Sequence, residues 1–218
     1  MWCIGKITKE YLKRMYDILD LYQEPYNPKK PVIGFDEKPK QLLGEKRMPI
    51  QLQPGKAEKY DYKYIRNGKA NIFVAVEPKH GKRITKVSKQ RKKKDFAKFM
   101  CELVLSYPYV EKLRVVLDNL NTHFESSFYE TFDKNKANRI LSKLEFHYTP
   151  KHASWLNVAE IEISAIDKEC TDRRMKDISF LRKEIKACTK RRNDDRCKIN
   201  WRFTKEDADR KLAKHYVT

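Results

Sequence analysis

The chain has 218 residues, and its 49 Lys and Arg residues against 30 Asp and Glu residues give a formal net charge of +19. Hydrophobic residues make up 40% of the chain and aromatic residues 11%, which is too apolar for a disordered basic tail. No apolar run reaches the length of a membrane span or of a signal peptide. We therefore expect a soluble, intracellular, globular protein whose partner is a polyanion, because Lys and Arg set against phosphates release condensed counterions.

The five cysteines, at positions 3, 101, 170, 188 and 197, form no C-x-x-C pair, so a zinc ribbon is not expected. Their odd number and irregular spacing favour reduced thiols in a cytosolic compartment. For Cys170, Cys188 and Cys197 we expect packing in the core rather than metal binding.

The first 31 residues are predicted to form a helix and a connector. Leu12, Met15 and Leu19 recur at helical spacing after Thr8, a residue type that caps helices. Three prolines between residues 24 and 31 then predict a stiff connector. The apolar face of the helix has two possible partners, its own domain or a second subunit. We assign residues 1–31 to this linker unit and residues 32–218 to the main domain.

In the main domain, strands come first and then alternate with helices. The predicted strands are residues 32–36, 70–76, 83–87, 113–118 and 144–148. The predicted helices are residues 95–106, 124–143, 155–171, 180–192 and 205–215, the last capped by Thr204. A turn at residues 79–81 predicts a hairpin between the second and third strands. This order predicts an α/β fold in which a mixed sheet carries helices on its faces.

Two acids, Asp36 and Asp118, each follow an apolar run at the point where a central strand is expected to stop. Side chains at that point project into the crevice where open α/β sheets bind ligands. The alternative is that each Asp only caps a turn. A third acid comes from Glu160 or Glu162, which diverge by roughly 200° on a helix and so do not share a face. Periodicity alone leaves open which of the two turns inward, and a solvated helix acid is the alternative for either.

Three carboxylates that converge on one pocket repel each other unless a cation is present. Mg²⁺ suits such a site, because it prefers oxygen ligands and is typically held by one or two carboxylates plus waters and phosphates. Two ions about 3.5–4 Å apart would activate the attacking oxygen and stabilise the leaving one in phosphodiester displacement. The basic surplus would then hold a DNA backbone over the metals.

Three strings of the sequence resemble the DDE transposases of the mariner superfamily, and within it the bacterial insertion-sequence group called "six-thirty". They are Phe-Asp-Glu-Lys at 35–38, Val-Leu-Asp-Asn-Leu-Asn-Thr-His at 116–123, and the segment 146–160 that ends in Ser-Trp-Leu-Asn-Val-Ala-Glu. The similarity runs from Trp2 almost to the C-terminus and includes Trp-Arg-Phe-Thr at 201–204.

This resemblance implies a ribonuclease H-like core in which Asp36, Asp118 and Glu160 bind Mg²⁺ or Mn²⁺, as two ions. In the family the third acid follows Leu-Asn-x-x, which selects Glu160 and leaves Glu162 as a helix-face residue. Family members cut transposon ends and join them into a TA-containing target, with water and then a 3′-hydroxyl as nucleophile. The implied partners are transposon-end and target DNA and a second copy of the chain, and the implied location is the bacterial cytoplasm, at the nucleoid.

The chain departs from the family in lacking the helix-turn-helix domains that precede the segment beginning at Trp2 in full-length relatives. A separate helix-turn-helix chain is therefore a further expected partner. Two other functions stay open: a catalytically silent DNA-binding or partner-binding remnant of a transposase, and a ribonuclease H-like nuclease for RNA–DNA hybrids. Ala153 also stands where the family suggests glycine.

Several further residues are candidates for a supporting role. Asn119 and His123 flank the second acid. Asn119 could hydrogen-bond a metal-bound water or the scissile phosphate, with turn capping as the alternative. His123 could orient a neighbouring side chain or touch DNA, with a structural histidine as the alternative. His152 and Lys151 could contact phosphate near the pocket. The basic run is predicted to bind DNA, although such runs are often only solvated faces, and comprises Lys89, Arg91, Lys92, Lys93 and Lys94.

Overall fold

The computed structural model describes residues 6–59 and 61–216. Trp2 and Cys3, on which part of the sequence interpretation falls, lie outside these residues. In chain order the elements are α1 (Lys9–Gln23), β1 (Val32–Glu45), β2 (Tyr64–Glu77), β3 (Lys82–Ser88), α2 (Lys93–Leu105), β4 (Leu113–Leu117), α3 (Ser126–Tyr129), α4 (Lys134–Leu141), β5 (Leu144–Tyr148), α5 (Ala159–Ile166), α6 (Ile178–Asp194) and α7 (Lys205–Leu212). None of the helices in the described part of the chain has both the length and the apolar character needed to cross a bilayer.

The five strands form one mixed sheet in the order β3-β2-β1-β4-β5. β1 pairs antiparallel with β2 and parallel with β4, while β3 is antiparallel to β2 and β5 is parallel to β4. The predicted hairpin joins β2 to β3 through Gly81, whose φ of 79° is accessible to glycine without a steric penalty. With helices packed on both faces, this mixed sheet confirms the predicted α/β class.

Alternate residues of β2 pack on opposite faces of the sheet. Phe73 and Ala75 join an aromatic cluster with Phe96 and Phe99 of α2. Ile72 and Val74 belong to a second cluster with residues of α5 and α6. Because both of its faces are buried, the second half of β2 is a nearly continuous apolar run, and this run is what predicts a strand at residues 70–76.

Helix α1 packs on its own domain. Thr8 caps it as predicted, accepting a hydrogen bond from the Tyr11 N–H at 3.2 Å. Met15 and Leu19 are completely buried, in an apolar cluster that includes Val116 of β4. Of the two expected partners for the apolar face, the chain's own domain is the one found. The division of the chain at residue 31 stays a prediction.

Several predicted elements have other bounds in the structure, and β2 begins at Tyr64 rather than at residue 70. β1 continues to Glu45 because β2 pairs with it that far, so the prediction that Asp36 ends its strand is wrong. The predicted helix at 124–143 is split into α3 and α4, because Asp133 accepts a hydrogen bond from the Lys136 N–H at 2.9 Å and starts a new helix. The predicted helix at 155–171 consists of a 3-10 turn (Ser154–Leu156), then α5, then a π-helical turn (Asp167–Thr171).

Candidate active site

Asp36 lies where β1 loses its parallel neighbour. β4 accompanies β1 only over residues 32–34, whereas β2 accompanies it to Glu45. Space therefore opens on the β4 side of Asp36 although the strand itself continues. Gly34 is paired with Val116, so the register puts Asp36 level with Asp118, two residues further along each chain. The Asp36 Oδ1 accepts a hydrogen bond from the Glu37 N–H at 2.7 Å.

Asp118 follows the last residue of β4, as predicted. Its Oδ1 accepts a hydrogen bond from the Leu120 N–H at 3.2 Å and lies 2.7 Å from Nδ1 of His123. The hydrogen bonds that Asp118 makes to described residues all fall on Oδ1. Asp118 therefore does cap a turn, as the alternative interpretation held, but with one oxygen only.

His123 joins two carboxylates. Its Nδ1 contacts Asp118, and its Nε2 lies 3.1 Å from Oε1 of Glu37. Burial alone would lower the pKa of His123, but the hydrogen bonds and negative charges of Asp118 and Glu37 outweigh it and raise that pKa to about 9. The side chain is 1% exposed, so of its two predicted roles, orienting a neighbour fits and touching DNA does not.

The third candidate acid, Glu160, lies in the first turn of α5 with its side chain partly exposed. Glu162 points elsewhere: it is completely buried, and its Oε1 accepts a hydrogen bond from Nε of Arg192 at 2.8 Å and lies 2.8 Å from Nε of Arg83. The interpretation of Glu162 as a solvated helix-face acid is therefore wrong. Because the two side chains diverge, the inward ion cluster of Glu162 leaves Glu160 on the other side of the helix.

The start of α5 is fixed against β1 and α1. Asn157 Nδ2 donates hydrogen bonds to the Phe35 carbonyl at 2.8 Å and to Asp36 Oδ2 at 3.3 Å. The Tyr22 hydroxyl donates a hydrogen bond to the Leu156 carbonyl at 2.9 Å and accepts one from the Val158 N–H at 3.2 Å. A Cβ at Gly34 would lie 2.4 Å from Cγ1 of Val158, so glycine is required for this close approach.

The charges of Asp118 and Glu160 both act on Asp36. Burial is the largest cause that raises the pKa of Asp36, the Glu37 N–H opposes it, and the charges of Glu160 and Asp118 raise it further, to about 7. For Asp118, burial also raises the pKa, but the hydrogen bond and charge of His123 and the charge of Arg91 leave it below its usual range. Asp36 therefore favours the protonated form more than an ordinary aspartate does, while its neighbour Asp118 favours the ionised form.

This environment fits a hard divalent cation. A cation beside Asp36 would remove the repulsion that raises its pKa, and carboxylate oxygens are the ligands that Mg²⁺ prefers. Within residues 6–59 and 61–216 no three His, Cys, Asp or Glu side chains are already gathered into a metal-binding group. Mg²⁺ needs only one or two protein carboxylates, so Asp36 with one neighbouring acid supplies enough ligands of the right type.

The predicted basic run borders the acids. Its residues occupy the turn between β3 and α2 and the first turn of α2, and Arg91 is close enough for its charge to lower the pKa of Asp118. Lys93 pairs with Glu130 at 2.5 Å and is thereby partly neutralised. The exposed members are Lys89, Arg91, Lys92 and Lys94.

The remaining predicted residues have different surroundings. Asn119 Oδ1 accepts a hydrogen bond from Nη1 of Arg14 at 2.7 Å, and its Nδ2 donates to the Thr149 carbonyl, so it ties α1 and the β5 loop together. Lys151 and His152 are exposed on the loop that leads to α5, and His152 has a φ of 61°. Ala153 is buried with a negative φ, so glycine is not required there.

Sequence reasoning missed Glu37 and the partners of Glu162. A usable signal existed for Glu37: it directly follows Asp36, and in a strand that continues past Asp36 the two-residue alternation puts Glu37 on the opposite face, with Phe35. The four cysteines of the described chain, Cys101, Cys170, Cys188 and Cys197, are free thiols. Cys170 and Cys188 are buried in the cluster beneath α6, which agrees with the packing interpretation.

Several solved structures have a partly similar chain path. A Mos1 transposase paired-end complex with the left transposon end is 14% identical, with 92% of this chain and 66% of that chain covered and a TM-score of 0.42. A pre-cleavage Mos1 transpososome is 13% identical, with 90% and 64% covered and a TM-score of 0.44. The Mos1 mariner paired-end complex with Mn is 14% identical, with 88% and 63% covered and a TM-score of 0.41.

This chain thus spans less than two thirds of the length of those transposases. No curated protein matches the sequence. The family described as DDE superfamily endonuclease matches residues 31–182, which is more than half of the chain and contains all three candidate acids. The chain therefore belongs to the DDE superfamily endonuclease family.

Proposed function

We propose that this chain is the catalytic domain of a mariner-superfamily transposase, of the insertion-sequence "six-thirty" branch. It would cleave DNA at transposon ends and transfer the cut strand to a TA-containing target. The observation that carries the proposal is the electrostatic convergence of the three acids: Glu160 and Asp118, distant in sequence, both raise the pKa of Asp36. Within a DDE endonuclease family, such convergence supports one shared site.

In this proposal Asp36, Asp118 and Glu160 hold Mg²⁺ or Mn²⁺, as two ions. The bound metal would supply activation of the attacking oxygen and stabilisation of the leaving one. The other side chains hold the ligands and the substrate. His123 fixes Asp118, Asn157 fixes Asp36, and the exposed basic run draws the DNA backbone toward the acids.

The proposed partners are transposon-end and target DNA, a second copy of the chain, and a separate helix-turn-helix chain that recognises the ends. The match to the family of DDE superfamily endonucleases supports DNA as the substrate, and the carboxylate chemistry of Asp36, Asp118 and Glu160 supports a divalent metal. A bacterial enzyme of this kind would act on the nucleoid in the cytoplasm.

A strand-transfer assay with Mn²⁺ on a pre-nicked oligonucleotide tests the proposal, because a pre-nicked substrate bypasses end recognition. We expect wild-type protein to join strands. Asp118→Ala should abolish joining while circular dichroism and DNA affinity stay unchanged. Asp194→Ala, which removes a surface acid paired with Lys190, is the matched control and should stay active.

Three results would contradict the proposal. Near-wild-type joining by Asp118→Ala would show that Asp118 is not an essential metal ligand. Hydrolysis of RNA–DNA hybrids without joining would favour the ribonuclease H-like nuclease. DNA binding without any metal-dependent chemistry would favour the silent remnant.

A further inference from the structure

Glu37 stands beside a candidate metal ligand but faces the other side of the sheet. Its side chain is 2% exposed, and its Oε1 lies 3.1 Å from Nε2 of His123. His123 in turn places Nδ1 2.7 Å from Oδ1 of Asp118. A continuous path of two hydrogen bonds therefore leads from the buried Glu37 to the partly exposed Asp118, although Glu37 and His123 are 86 positions apart in the chain.

Packing alone does not account for this polar path. The His123 ring lies among aromatic side chains, with its centroid 4.8 Å from that of Phe96 and 5.3 Å from that of Phe35. Removing charged groups from water is costly, and apolar replacements of buried ion pairs are often neutral or stabilising. The path does have one specific geometric result, because it engages Oδ1 of Asp118 and so fixes the rotation of that carboxylate.

We propose that Glu37 is a positioning residue for Asp118, which it orients through His123 so that Oδ2 is presented to a divalent cation. The inference rests on the proposed function, since it takes Asp118 as a metal ligand. Residues that hydrogen-bond to a metal ligand, without contacting the metal themselves, commonly affect metal affinity by fixing the orientation of that ligand.

The chain contains a matched control for this arrangement. His147 of β5 also bridges two carboxylates, with Nδ1 2.7 Å from Asp17 Oδ2 and Nε2 3.1 Å from Glu145 Oε1. Both of these acids are about half exposed, and neither is a candidate metal ligand. Glu145→Gln therefore makes the same chemical change as Glu37→Gln, at a histidine with the same pair of contacts.

The experiment measures Mn²⁺ binding to the full chain in the absence of DNA, by electron paramagnetic resonance of the free ion. Glu37→Gln keeps the size of the side chain, so we expect it to fold with an unchanged circular dichroism spectrum. It replaces the ionised acceptor of the His123 contact with a neutral amide, which holds the ring more weakly and so leaves Asp118 less well oriented. Its Mn²⁺ affinity should fall by about 10–100-fold. Glu145→Gln should bind Mn²⁺ as the wild type does. Equal affinity in Glu37→Gln and wild type would overturn the proposal.

A second variant separates positioning from simple loss of structure. His123→Asn keeps a side-chain N–H near the place of Nδ1 but does not reach Glu37. If Glu37 acts through His123, adding Glu37→Gln to His123→Asn should change Mn²⁺ affinity by less than about twofold. Independent, additive losses would overturn the proposal. Should Glu37→Gln alone fail to fold, Glu37→Asp decides, because it keeps the charge but withdraws the carboxylate from His123 and should lower Mn²⁺ affinity. Unchanged affinity in Glu37→Asp would overturn the proposal.

Strand joining, measured on the same proteins, separates this inference from the proposed function. Loss of Mn²⁺ affinity in Glu37→Gln with no joining by any protein supports positioning and contradicts strand transfer. Joining by wild type and Glu37→Gln at the same Mn²⁺ concentrations contradicts positioning and leaves strand transfer standing. Absence of Mn²⁺ binding by the wild type contradicts both.

Discussion

Asn157 donates a hydrogen bond from Nδ2 to Oδ2 of Asp36, at 3.3 Å. The same group donates to the Phe35 carbonyl at 2.8 Å, and Asn157 Oδ1 accepts from the Ala159 N–H at 3.1 Å. One buried amide thus connects the central strand β1 to the first residue of α5, the helix that carries Glu160.

Replacing that amide should weaken both the fold and the site. Asn157→Ala leaves the buried Phe35 carbonyl and the Ala159 N–H without their partner, which costs about 1–3 kcal/mol of unfolding free energy in urea denaturation. Asn138→Ala is the matched control, because Asn138 bonds to Tyr129 on the surface, and it should stay within about 0.5 kcal/mol of wild type. Equal stability of the two variants would contradict the connecting role of Asn157.

A methyl group at Gly34 should separate β1 from α5. In Gly34→Ala the new Cβ would lie 2.4 Å from Cγ1 of Val158 and 2.9 Å from the backbone nitrogen of Ala159. Such overpacking costs about 1–3 kcal/mol, measured by chemical denaturation. It should also reduce strand joining, because α5 carries Glu160.

The control for Gly34 lies on the same strand. Gly44→Ala would meet only the tip of the Asn67 side chain, at 2.8 Å, which can move aside. We expect unchanged joining and a loss of at most about 1 kcal/mol, because moving Asn67 gives up only its exposed hydrogen bond to the Lys176 carbonyl. If Gly44→Ala lost more stability or strand joining than Gly34→Ala, the close contact between Gly34 and α5 would not be what requires glycine on this strand.

Divalent metal should stabilise the folded chain. A ligand that binds only the folded state at 100 times its Kd adds about 2.7 kcal/mol, which thermal melts with and without Mn²⁺ detect. Asp36→Asn should remove most of that gain. Without metal it should melt close to the wild-type temperature, because the relief from repulsion by Glu160 and Asp118 is offset by the loss of one hydrogen bond, since the new NH₂ group cannot accept from Glu37 or Asn157. If Mn²⁺ raised the melting temperature of Asp36→Asn as much as that of the wild type, the metal would bind elsewhere.

The basic run should contribute to DNA affinity through Arg91. Arg91→Ala removes a charge that is exposed and near Asp118, so affinity should fall and the salt dependence of binding should weaken by about one counterion. Arg191→Ala removes an arginine already paired with Glu169 at 2.5 Å on α6. The fluorescence anisotropy of labelled duplex over a salt series should separate the two. Identical salt slopes would argue against a specific role of Arg91.

The buried ion cluster of Glu162 should be costly to break. Glu162→Ala leaves Arg83 and Arg192 without their shared carboxylate in a fully buried place, which costs about 3–5 kcal/mol. Asp194→Ala removes the exposed pair with Lys190 and should cost at most about 1 kcal/mol. Urea denaturation of both variants checks the contrast, and comparable losses would contradict it.

The pattern of apolar residues along the sequence predicts where the strand before Asp118 ends but not where the strand that contains Asp36 ends. Asp118 was placed correctly because a short apolar strand and the residue that ends it are read from one stretch of sequence. Asp36 was placed at the wrong point of its strand, because the length of β1 is set by pairing with β2 up to Glu45, a partner beyond a long loop.

The polar contacts behind the site could not be predicted from local pattern. Glu37 meets His123 across 86 positions, and Glu162 meets Arg83 across 79, so each pairing depends on the finished sheet and helix packing. A buried acid and a solvated acid look alike in sequence until the partner that neutralises the charge is known.

The contact between Gly34 and Val158 has a consequence for related sequences. A side chain at position 34 fits only if the branch at 158 is lost and the helix backbone behind it moves outward. In an alignment of homologues, bulk at these two positions should therefore vary in a compensating manner, so that chains with alanine or serine at 34 carry a smaller residue at 158.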